Sequence, residues 1–312
     1  MCYYGPVIPD RLHLTRFAWL SIGTALLTMG LKATAYLLTG SVGLLSDAME
    51  SGINLVAAFA ALIALSVAAQ PPDAEHAYGH SKAEYFSSAL EGGLILLAAV
   101  TIVATGVERL LHPRELQQLD LGIGVAVLAS LFNLATAVVL RRAGRAYESA
   151  TLEADAQHLL SDVWTTAGVV VGVGATWLTG WQPLDPIVAI IVGVNIGWTS
   201  VGLVRSAMAG LMDTALPPEE QAIIYEVLEK YSGGGVQFHA VRTRRAGAQR
   251  FVSFHVLVPG ALTVQQGHDL LEEIEQQIRA SLPRTSVFTH IEPLEDPSSW
   301  NDPLIREEAG RN

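Results

Sequence analysis

Six apolar segments constrain this chain more than any other feature. They fall at about residues 16–38, 42–68, 86–111, 121–140, 158–179 and 184–206. A membrane-spanning helix needs roughly 20 mostly apolar residues, and each segment reaches or nearly reaches that length. The pattern therefore predicts six transmembrane helices. Several contain Gly, Ser or Thr, which let helices approach closely in lipid. The chain is 50% hydrophobic and 16% charged, well below the roughly 25% charged residues of soluble domains.

Composition also removes whole classes of function. The single cysteine, Cys2, excludes an internal disulfide framework and a cysteine-based zinc site. A net charge of -11 argues against nucleic acid as a partner. Residues 1–15 carry prolines and charges and no apolar core, so no cleavable signal peptide is expected.

Lysine and arginine in the loops set the expected orientation. Arg11 and Arg16 precede helix 1, Lys82 lies between helices 2 and 3, and Arg141, Arg142 and Arg145 follow helix 4. Arg205 ends helix 6, and the opposite loops hold little beyond Arg109 and Arg114. Both termini are expected in the cytoplasm, with the chain as a multi-pass protein of an inner (plasma) membrane.

The pattern changes after Met212. Pro217-Pro218-Glu219-Glu220 opens a helix to about Tyr231, and Gly233-Gly234-Gly235 breaks it. Residues 236–244 and 250–258 alternate as a strand pair, 263–282 read as an amphipathic helix, and 286–293 as a third strand. The order αββαβ predicts a small α+β, ferredoxin-like domain with helices on one face of a sheet. The expected division is a six-helix transmembrane domain over 1–211, a cytoplasmic domain over 212–295, and a charged tail over 296–312.

Ionisable residues inside the spans carry the chemistry, because a charge at bilayer depth costs several kcal/mol and is a functional-site hypothesis by default. In helix 2, Asp47, Glu50, Ser51 and Asn54 share one helical face. In helix 5, Asp155, His158 and Asp162 do the same. Leu44-Leu45-Ser46-Asp47 recurs as Leu159-Leu160-Ser161-Asp162. That echo suits an inverted repeat with a site near midplane. Asp47, His158 and Asp162 could converge as one imidazole and two carboxylates, a set for zinc, cobalt or iron(II). The same groups can take up protons when metal leaves.

Two further groups lie outside the spans. Asp73, His76 and His80 have metal-ligand spacing in a short loop. His239, His255, His268 and His290 with Glu292 concentrate on the C-terminal strands and helix. Neighbouring strands lie about 5 Å apart, so His239, His255 and His290 could come close.

Gly40-Ser41-Val42-Gly43-Leu44-Leu45-Ser46-Asp47, then His76-x-Tyr-Gly-His80-x-Lys-Ala-Glu84, then His158-x-x-Ser-Asp162 together resemble the cation diffusion facilitators. The resemblance runs from about residue 12 to 294. It implies a homodimeric secondary transporter, not an enzyme, that exports divalent cations from the cytoplasm against inward protons. The transport site implied is Asp47, Ser51, His158 and Asp162. The loop site implied is Asp73, His76 and His80. The cytoplasmic binuclear site implied is His239, His255, His268, His290 and Glu292, and an interprotomer charge interlock maps to Lys82 and Asp213.

One departure bears on the metal. Many members carry a second carboxylate where this chain has Ser51, and serine is a poor zinc ligand. Either three protein ligands and water suffice, or Glu50 swings in, or Ser51 and Asn54 mark selectivity for manganese or iron(II). Zn2+ stays the first expectation as transported and regulatory ion, with Fe2+, Mn2+, Co2+ and Cd2+ as alternatives. A passive cation channel and a membrane-anchored metalloenzyme are the competing functions, and no zincin-type motif supports the second.

Overall fold

A computed structural model describes residues 11–39, 42–112, 119–181 and 183–300. Gly40, Ser41, Arg114 and the tail from Asn301 lie outside these residues, as do the side chains of Asp47 and Glu50. The chain divides into two compact units, Pro9–Ala209 and a second one from Gly210 onward.

The first unit holds six helices: α1 (Thr15–Thr39), α2 (Val42–Ala68), α3 (Ala83–Leu111), α4 (Leu119–Tyr147), α5 (Ala150–Thr179) and α6 (Leu184–Leu211). Three described stretches are long and apolar enough to cross a membrane: Ala83–Leu111, Gly124–Tyr147 and Pro186–Leu211. A shorter apolar stretch covers Asn54–Ala68 of α2. Trp19, Leu97, Val100, Ile191 and Trp198 are all exposed, Trp198 at 81%. A soluble bundle would not leave so much large apolar surface open, whereas lipid requires it.

Small residues set the packing inside. Leu14, Ala18, Leu65, Ala137, Leu140, Ala143, Leu152, Ala156 and Leu159 form one core between α1, α2, α4 and α5. A second seam joins α3 to α6 through Ile95, Ala99 and Ile196. There a Cβ at Gly106 would meet Ile190 at 2.7 Å and the Pro186 carbonyl at 3.2 Å. The two backbones approach as closely as glycine permits, the device expected where lipid supplies no hydrophobic drive between helices.

The α4–α5 connection differs from the sequence reading. The apolar segments end at residue 140 and resume at 158, yet α4 runs to Tyr147 and α5 starts at Ala150. The added turns are amphipathic: Ala143 packs on the core that Leu152 and Ala156 complete, while Arg141, Arg142 and Arg145 are exposed. Only Glu148 (φ 54°) and Ser149 separate the helices. Ser149 Oγ donates to the buried Glu84 carboxylate of α3, which also accepts from the Thr151 backbone N–H at 3.4 Å.

The second unit has the order α7 (Pro218–Tyr231), β1 (Gln237–Ala246), β2 (Gln249–Val258), α8 (Val264–Ser281), β3 (Thr285–Pro293). The sheet runs β1-β2-β3, with β1 antiparallel and β3 parallel to β2. Thr263 and Gln266 form a reciprocal capping box at the start of α8. Ile224, Val227 and Leu228 of α7 share one core with Ile274 and Ile278 of α8 and with Val252, Phe254 and Val256 of β2. Both helices therefore cover one face of the sheet. By strand alternation, His255 belongs to the other face.

Candidate metal centres

In the helical unit, α2, α4 and α5 meet at Asp162. Its Oδ2 accepts from Asn54 Nδ2 at 2.5 Å and from Asn133 Nδ2 at 3.2 Å. The other end of the Asn54 amide, Oδ1, lies 2.7 Å from His158 Nε2. Asn54 thus bridges His158 and Asp162 of α5, one turn apart on a shared face. His158 and Asn54 are buried, and so is Ser51, one turn before Asn54 on α2. Asp47 lies on α2, one turn before Ser51, and Glu50 is on the same helix.

The same unit holds polar contacts that the sequence reading left unassigned. Ser21 of α1 donates to Asp155 Oδ1 at 3.0 Å, and Ser87 donates to Glu91 Oε1 at 3.4 Å, both within α-helical interiors. Asn133 was also passed over. It is a lone amide in the apolar run Leu131-Phe132-Asn133-Leu134, and that isolation is the signal that could have found it.

The loop between α2 and α3 brings Asp73, His76 and His80 together. Asp73 Oδ1 accepts from the backbone N–H groups of His76 at 2.6 Å and Glu75 at 2.9 Å. His76 Nδ1 and His80 Nε2 each stand 3.3 Å from the Asp73 carboxylate, and the two rings are 4.4 Å apart. The His76 N–H does most to hold the Asp73 carboxyl below its ordinary range. A carboxylate ionised in this way and two imidazoles make a three-donor set.

In the α+β unit the strand register builds the third group. His239 pairs with His255 across β1 and β2, and His255 pairs with His290 across β2 and β3. A bulge after His239, with Ala240 at φ 53°, breaks the β1 register at this point. Glu292, two residues beyond His290, is the hub. It lies 2.9 Å from His239 Nε2, 3.4 Å from His255 Nδ1 and 3.5 Å from His290 Nε2. One ligand atom from each of His239, His255 and Glu292 falls within 4.8 Å of the others. His290 is exposed at their edge. His268 sits exposed near the start of α8, on an element that covers the opposite face, and does not join the group. Trp300 stacks over His239, ring centroids 6.2 Å apart. Asp213 accepts from Arg244 Nη1 at 3.1 Å within the same unit.

Two family models match successive stretches of the chain. The cation efflux transmembrane domain covers residues 18–212, and the cytoplasmic domain of cation efflux proteins covers 216–294. The chain belongs to the cation efflux family. The resemblance to cation diffusion facilitators read from the three motifs is thereby shown, together with its fold: a helical membrane domain followed by a cytoplasmic α+β domain. An uncharacterized transporter of Synechocystis, sll1263, is 54% identical over 92% of this chain and 93% of its own length. The cation-efflux pump FieF of Klebsiella pneumoniae is 31% identical over 86% of this chain and 88% of its own. The metal-bound C-terminal domain of the CzcD transporter from Thermotoga maritima is 28% identical, covering 25% of this chain and 92% of that one, with a TM-score of 0.24. Cation efflux across a membrane is therefore the general activity of the family to which this chain belongs.

Proposed function

We propose that this protein exports divalent transition-metal cations from the cytoplasm in exchange for protons, with zinc the first candidate. The observation that carries the reading is the Asn54 bridge between His158 and Asp162. It places an imidazole and a carboxylate together in a helical unit that has an apolar exterior. With Asn54 Oδ1 accepting, His158 Nε2 carries a hydrogen, so a cation bound there releases one proton to water from the imidazolium form and moves the hydrogen to Nδ1 in the neutral form. Asp162 is held by two neutral amide donors, which a cation can replace as the counter-partner of its charge. The motif resemblance would add Asp47 of α2 to this set. Rocking of the α2–α5 pair against the other helices would then open the site alternately to each side.

The buried Ser51 and the Asn54 amide favour a second reading, selectivity for manganese or iron(II). Both present oxygen donors suited to harder ions, whereas His158 suits zinc. Metal at His239, His255 and Glu292, with His290 as a further donor, would act as a regulatory ion. It would draw two protomers of a homodimer together and bias transport, a coupling between separate sites. The loop group at Asp73, His76 and His80 would take the same ions. Both termini lie in the cytoplasm in this reading.

Parallel flux assays in proteoliposomes with zinc, manganese, iron(II), cobalt and cadmium test it. Zinc entry coupled to proton exit supports the first reading, and coupling with manganese or iron(II) alone supports the second. Metal movement without proton movement would make the protein a channel.

A further inference from the structure

Glu91 of α3 and Asp155 of α5 are buried carboxylates that the metal centres do not use. Glu91 is 0% exposed and Asp155 3%. Each has one oxygen satisfied, by the Ser87 and Ser21 hydroxyls respectively. The other oxygen of each, Glu91 Oε2 and Asp155 Oδ2, is buried with no hydrogen-bond partner. Among the described residues no lysine or arginine pairs with either one. A buried carboxylate that lacks both a counter-charge and a second donor is costly to keep ionised. One added proton removes that cost.

The surroundings point the same way. The helix that carries Glu91, α3, packs against α5, which carries Asp155 and His158. From α6, Val204 and Leu203 stand beside neighbouring Gly92 and offer no charge. On α3 itself, Glu84 lies two turns away and is bonded to Ser149 and Thr151. The described α2 side chains nearest the transport site, Ser51 and Asn54, are neutral. Asp155 and Asp162 are seven residues apart on one helix, about 10 Å along its axis. A cation at Asp162 and a proton at Glu91 thus act on one segment of α5 from its two ends.

We propose that Glu91 binds the exchanged proton, at a site separate from the metal ligands. The proposal rests on the proton-exchange reading above. Binding makes one O–H bond at the Glu91 carboxyl, and release returns that proton to water. A cation arriving at His158 and Asp162 adds positive charge to the same packed helices and favours the ionised carboxyl, so metal entry drives proton release.

Infrared difference spectroscopy on the purified full-length protein, with zinc added as the probe, reads the C=O band of a protonated carboxyl. Wild type is expected to lose this band on zinc addition. Glu91→Gln is expected to show no such loss while still binding zinc. In proteoliposomes the variant should move fewer protons per zinc than wild type. An unchanged band loss and an unchanged proton-to-zinc ratio in Glu91→Gln would overturn the proposal. If that variant does not fold, wild type and Glu91→Asp decide. A zinc-sensitive band that shifts in the aspartate variant supports the assignment, and a zinc-insensitive wild-type spectrum overturns it. Wild type that transports zinc without protons overturns the exchange reading itself, a failure distinct from that of Glu91.

Discussion

Asn54 Nδ2 lies 2.5 Å from Asp162 Oδ2, and this contact joins α2 to α5 at the point where each helix carries its polar face. The same amide reaches His158, so one neutral side chain holds both ionisable partners in register.

Replacing that amide separates its structural and functional roles. Asn54→Leu removes one amide donor from Asp162 and one acceptor from His158. A buried polar group that loses its partner costs roughly 1–3 kcal/mol. The expected outcome is a lower thermal unfolding temperature in detergent together with weaker zinc binding at the membrane site, measured by equilibrium dialysis.

Ser51→Asp tests metal choice. It restores a carboxylate on the α2 face one turn before Asn54, where zinc gains an anionic ligand in place of a hydroxyl. The ratio of zinc to manganese flux is expected to rise. An unchanged ratio would show that Ser51 does not face the ion.

Glu292→Gln tests the cytoplasmic group. Three histidines lie within 3.5 Å of this one carboxylate. A ligand that binds only the folded state stabilises by about 2.7 kcal/mol when present at roughly 100 Kd. Zinc should raise the unfolding temperature of wild type, and this rise should be smaller in the variant while membrane-site binding persists.

Glu220 and Arg250 give a pH-dependent stability. Arg250 donates to the Glu220 carboxylate at 2.7 and 2.9 Å. This hydrogen bonding, more than any other influence, holds the Glu220 carboxyl below its ordinary range. A lowered folded-state value adds stability above the unfolded value of glutamate, and that stability is lost as pH falls through the folded one. Glu220→Gln should cost about 1 kcal/mol near neutral pH. The difference from wild type should vanish in acid, followed by urea unfolding monitored through Trp300.

The membrane helices were legible because apolar length is a local property. The α4–α5 hairpin was not, since its last turns are held by Ala143, Leu152 and the Ser149–Glu84 contact rather than by hydropathy. The strands and α8 were readable to within about two residues from strand alternation and helical amphipathicity. His158 and Asp162 announced themselves as charges in an apolar run. Their bridging through Asn54, and the part of Asn133, depended on helix rotation, which sequence spacing does not fix. Likewise, strand alternation placed His239, His255 and His290 near one another but gave no sign that α8 would carry His268 away from them.

The most direct test is zinc-driven proton flux in proteoliposomes for wild type and Asp162→Ala. Wild type should exchange zinc for protons, and the variant should lose at least about tenfold in rate, or roughly 1.4 kcal/mol of transition-state stabilisation. Equal zinc flux in the two would contradict the account, because the ion would then cross without the carboxylate to which α2, α4 and α5 converge.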